Sequence, residues 1–167
     1  FDIHNIFSGS EIRRMQDTRY ALTIITTILS TYFNRDDEIE TYLTQYNDEF
    51  NKKSDLEKEI DMVLNNINSM SFAPTSRVWQ KTDLFTLIIE LHSALIKRNL
   101  RIDLNKLADS LKEFYDNVSA YNDESSISNP EIRKYYKAAL QATNDRSSRI
   151  ARGEIIRNLI EKCLIAQ

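Results

Sequence analysis

The sequence predicts an all-α protein: a compact bundle of about seven helices with no sheet. Two observations lead there. Glycine and proline occur twice each in 167 residues, against a usual share of roughly 7% and 5%, which leaves little material for β-turns. Apolar residues also recur at helical rather than alternating spacing, behind polar residues that serve as start signals.

Helix one is expected over about 10–33. Ser8 stands three before Glu11, so that each side chain can meet the other's backbone N–H in a capping box. Its stretch "TIITTI" is β-branched and locally strand-like, but Met15, Leu22, Ile25, Leu29 and Phe33 keep a helical period. The second helix, about 36–50, opens on Asp36, Asp37 and Glu38, where carboxylates suit the helix dipole. Helix three, about 54–70, repeats the capping-box spacing with Ser54 and Glu57. "SFAPTSRVWQK" (71–81) is an irregular connection. Helix four (about 82–98) opens on Thr82-Asp83 and helix five (about 103–120) on Asp103. After a polar loop, Asn129-Pro130 caps helix six, because proline at the first helical position loses no hydrogen bond. "TND" (143–145) ends it near 142 and starts helix seven, about 146–165. Before helix one, "FDIHNIF" reads as strand-like or irregular.

The chain is long enough to bury a core as one domain. No apolar run approaches the roughly 18 residues of a membrane span, and no secretory signal pattern is present. The single Cys163 excludes an intrachain disulfide framework and suits a reducing cytosol, so a cytoplasmic protein is expected. A first residue other than Met, and a last stretch still apolar and helical, read as a piece of a longer chain. The formal net charge is −3, which gives no general affinity for nucleic acid. Locally it is uneven: residues 34–61 carry four Lys/Arg against ten Asp/Glu, and residues 130–167 eight against four. Such blocks are either solvated faces or, for the basic one, a surface for phosphate or an acidic partner.

No catalytic constellation is complete, and no catalytic residue or metal site is assigned. His92 falls inside the apolar arc of helix four, as a buried histidine with one hydrogen-bond partner. Cys163 points with Ile156 and Leu159, as a small core residue. Glycine-rich phosphate loops and metal-binding H-E-x-x-H or C-x-x-C motifs are missing from the sequence. The informative positions are charges on apolar faces. On a wheel of about 100° per residue, Arg14 and Asp17 lie within the apolar arc of helix one. Arg149 and Arg152 lie within that of helix seven, among Ile155, Ile156, Leu159, Ile160 and Cys163. Lone buried charges cost several kcal/mol, so such groups must be paired, exposed at a rim, or covered by a partner. The simplest arrangement pairs Asp17 with Arg149 or Arg152 and clasps the first helix to the last. The alternatives are an interdomain or anion-facing end of the bundle, or a rotated wheel with solvated charges. Arg146 and Arg157 fall outside the arc and are the candidate phosphate contacts.

Three segments, "RRMQDTRYALTIITTIL", "KTDLFTLIIELHSAL" and "YYKAALQATNDRSSRIARGEIIRNLI", together resemble the helical region of GmrSD-type proteins. These are bacterial anti-phage restriction proteins with a ParB/sulfiredoxin-like nuclease domain. The resemblance spans about residues 7–165, on scattered positions. In that family a stretch like Arg14-Met15-x-Asp17 follows the nuclease domain, and one like "TNDRSSRIAR" closes the helical part. The resemblance implies an accessory domain, not catalytic alone, that braces an upstream nuclease domain and contributes to DNA engagement or oligomer contacts. No membrane partner is expected, because no apolar run in the sequence is long enough to span a bilayer. A nucleotide and divalent metal would belong to the nuclease domain, whose Asp-Gly-Gln-Gln-Arg motif has no counterpart here, so no catalytic residue carries over. Arg14, Asp17, Arg149 and Arg152 carry over as structural or interdomain positions. A rival of another class is a free-standing helical interaction module. A helical ribonuclease of the R-x-x-x-x-H type is disfavoured, since helix four has no arginine before His92.

Overall fold

The structure, a computed structural model, describes residues 4–165. These residues form eight α-helices and no sheet, with one isolated antiparallel bridge between Ile102 and Leu164. The helices are α1 (Gly9–Arg13), α2 (Gln16–Leu29), α3 (Ile39–Gln45), α4 (Lys53–Ser69), α5 (Lys81–His92), α6 (Leu104–Ser119), α7 (Pro130–Leu140) and α8 (Arg146–Glu161). None is long and apolar enough to cross a membrane. Phe1–Ile3 of the terminal segment expected to be strand-like or irregular lie outside the described residues.

At the centre stands α5, with every residue from Asp83 to His92 buried. A helix that is apolar nearly all round has to be enclosed, and α2, α4 and α8 pack around it. Its four polar members each find a partner on another element, because an unpaired polar group buried there would cost several kcal/mol. Asp83 meets Arg77 Nε at 2.8 Å and accepts from the Tyr135 hydroxyl at 2.7 Å. The Thr86 hydroxyl accepts from Arg152 Nε. Glu90 accepts from the Tyr32 hydroxyl and from two nitrogens of Arg157. His92 Nε2 lies 2.8 Å from Glu59 Oε2, the single partner expected of a buried histidine.

Several boundaries differ from expectation. Helix one is broken in two: Arg14 caps α1, and Met15 takes a left-handed φ of 56° before α2 begins. It then stops at Leu29 instead of Phe33, and Lys97 Nζ donates to the Ile28 carbonyl there, a cation at a helix C-terminus. The second helix contracts to α3, with Arg35 left-handed just before it and Ile39 its only buried residue, so little packing extends it. Of the two capping boxes, Ser8–Glu11 forms. Ser54–Glu57 does not, because α4 starts at Lys53 and draws Ser54 inside the helix. Helix four ends its α-helical part at His92 and continues over Ser93–Lys97 as a π-helix. Helix seven stops at Glu161, and Leu164 turns away to meet Ile102.

Candidate functional site

The two arginines on the apolar face of α8 are truly buried: Arg149 is 3% exposed and Arg152 1%. Their partners are main-chain carbonyls and the Thr86 hydroxyl, not Asp17. Arg149 donates to the carbonyls of Phe33 (2.9 Å) and Arg35 (3.2 Å), with its guanidinium over the rings of Phe33 and Phe85. Arg152 donates to Thr86 Oγ1 (3.1 Å) and to the carbonyls of Ala138 and Thr143. It therefore satisfies an orphan carbonyl in the last turn of α7 and ties that end to α5. Burial pushes the pKa of both guanidinium groups down, and the charge of Arg152 adds to the effect at Arg149. Arginine keeps its proton even so.

The expected clasp through Asp17 is therefore corrected. No ion pair among the described residues joins Asp17 to either arginine, and Asp17 is only half-buried in the first turn of α2. The left-handed Met15 takes Arg14 off the wheel of α2, while Asp17 stays on it; the arginines are instead satisfied by carbonyls and by Thr86, which lie nearer than Asp17. Arg14 is exposed at the end of α1. What closes on α8 is the irregular segment after α2. Arg146 Nε donates to the Tyr32 carbonyl at 2.9 Å, Arg149 takes the next carbonyls, and the Arg35 N–H donates to the Asn144 carbonyl at 2.8 Å.

Of the two candidate phosphate contacts, Arg146 is exposed. Arg157, whose side chain is 43% exposed, also forms a fork on the buried Glu90 carboxylate, at 2.9 and 3.1 Å, an internal ion pair that the sequence did not predict. Gly153 makes room for this network. A Cβ there would stand 2.5 Å from Glu90 Oε1 and 2.7 Å from the Tyr32 hydroxyl.

Above the two buried arginines opens a cavity of about 440 Å3 between α2, α5, α8 and the α7–α8 connection. Two ion pairs also line it, Lys81 with Glu11 and Arg19 with Asp36. They are far more exposed than the arginines and form its mouth. Hydrogen bonds from Lys81 and Ser8 hold the Glu11 carboxyl down at about 2. Sequence reasoning did not assign Lys81 or Arg19, and read Glu11 and Asp36 only as helix-start residues. These side chains come from segments far apart in the chain, so no local spacing could reveal them. No group of three or more His, Cys, Asp or Glu among the described residues is placed to hold a metal ion.

Comparison with protein families, with characterised proteins and with solved structures finds no match.

Proposed function

We propose that this chain is a helical accessory domain of a GmrSD-like, nucleotide-dependent restriction protein of anti-phage defence. It braces a nuclease domain through the corner between α1 and α2 and aids DNA engagement. The observation that carries the reading is the state of that corner. Ile12 and Met15 flank the exposed Arg14 and are themselves 44% and 64% exposed. Met15 holds a left-handed backbone, a conformation costing of order 1–3 kcal/mol for such a residue. An apolar side chain held outward in this way gains nothing from water but would gain from a covering surface. The resemblance puts the junction with the nuclease domain at this corner. Nucleotide and divalent metal would belong to that other domain.

The test is titration of the chain with a separately produced ParB/sulfiredoxin-like nuclease domain encoded by the same gene, followed by sedimentation. Association is expected, and Met15→Asp should weaken it about tenfold or more, as for a central interface residue, with an unchanged melting temperature. Absence of association, or equal association of the variant, would sink the reading; self-association through the same corner would favour a free-standing interaction module. For DNA engagement, Arg146 is the contact to test. Arg146→Gln should reduce the salt dependence of duplex binding by about one unit of slope.

A further inference from the structure

We propose that the cavity between α2, α5 and α8 binds a small phosphorylated molecule, with Arg149 and Arg152 receiving its phosphate. The argument begins with charge. Four cations line the cavity (Arg19, Lys81, Arg149, Arg152) against two carboxylates (Glu11, Asp36), a surplus of two positive charges. The carboxylates pair with the exposed cations at the mouth, so the surplus rests on the two buried arginines. Carbonyl dipoles orient those guanidinium groups, and Asp83 acts on Arg152, and Asp36 and Asp145 on Arg149, only through space, since each of these carboxylates is paired with another cation. A buried charge without a directly bonded counter-ion is costly.

Donor arithmetic agrees. A guanidinium has five N–H donors. Arg149 makes two hydrogen bonds and Arg152 three, so each retains donors with no protein acceptor among the described residues. Planar forked donors suit phosphate oxygens. A phosphate monoester carries close to two negative charges at neutral pH, which matches the surplus; a single carboxylate does not. The volume of about 440 Å3 lies within the roughly 300–1,000 Å3 of small-molecule sites and exceeds what a bare phosphate fills. Phe7, half-buried in the lining, gives the organic body of the ligand an apolar contact. This proposal stands independently of any nuclease partner, since it requires only the folded chain.

Thermal melting and calorimetry at constant ionic strength would test it, with inorganic phosphate, ribose 5-phosphate, adenosine 5′-monophosphate and uncharged adenosine as probes. At least one phosphate-bearing probe should raise the melting temperature, and adenosine should not. Which of the three binds tightest distinguishes free phosphate, a sugar phosphate and a nucleotide as the source. Since Arg149 and Arg152 also hold the fold, variants at the mouth carry the test. Glu11→Gln and Asp36→Asn each remove a competing carboxylate and should tighten binding roughly threefold, whereas Lys81→Gln should weaken it by a similar factor. Lys112→Gln, in an exposed pair with Asp116 outside the cavity, should leave affinity unchanged. A purely structural role for these residues predicts no tightening. Failure of all three phosphate compounds to bind, equal binding of adenosine, or unaltered affinity in the three mouth variants would overturn the proposal.

Discussion

Arg152 shows why a charged residue can belong in an oily interior. Its three bonds reach α5, the end of α7 and the connection into α8, so one side chain satisfies groups on two helices and on the α7–α8 connection. Gly153 next to it is the complementary case, chosen for what it lacks. In an ordinary helix, alanine for glycine gains roughly 1 kcal/mol. Here the added Cβ would collide with Glu90 and Tyr32. Gly153→Ala should therefore destabilise the protein by about 2 kcal/mol, in the range of core overpacking, as read by chemical denaturation. A stabilised variant would mean that α8 does not sit this close to α5.

Among elements, the two capping boxes separate what local spacing predicts from what it does not. Both have serine three residues before glutamate, yet only Ser8 caps a helix. Residues Phe50–Lys52 already lead into α4, with the Lys53 N–H donating to the Phe50 carbonyl, so Ser54 is carried past the cap position. Ser8→Ala should loosen α1 by about 1 kcal/mol, seen as faster amide exchange in that helix. Ser54→Ala should change exchange in α4 by less than about 0.5 kcal/mol. Equal effects would mean that both serines cap, or neither. The break between α1 and α2 follows the same lesson: apolar periodicity runs through Met15, while the backbone turns there.

For the whole molecule, acid stability should report the tether between α1 and α5. The Glu11 carboxyl titrates at about 2 in the folded chain against an ordinary value of 4.5, held down by Lys81 and Ser8. Its folded pKa is depressed, so its contribution is present above pH 4.5 and is lost as pH falls towards 2. Asp83 runs the other way. Burial raises its pKa above 3.8 despite Arg77, so its contribution is present below that value and is lost as pH rises through the folded pKa. In melts from neutral pH to pH 2, Glu11→Gln should be the less stable protein above pH 4.5 and should converge with the parent near pH 2. Parallel curves throughout would show that the tether adds nothing to global stability.

By itself the sequence determined the all-helical class, most helix locations, the burial of His92 and Cys163, and the presence of two arginines on an inward face. These follow from local propensity and periodicity, which act over one or two turns. Only the tertiary structure decided what those arginines touch, that Arg157 neutralises Glu90, that Asp17 stands apart, and that Lys81, Glu11, Arg19 and Asp36 surround one cavity. Those facts join residues of different elements, some more than a hundred positions apart, and the left-handed Met15 takes Arg14 off the wheel that carries Asp17. Periodicity states which way a side chain leaves its helix; its partner is set by packing.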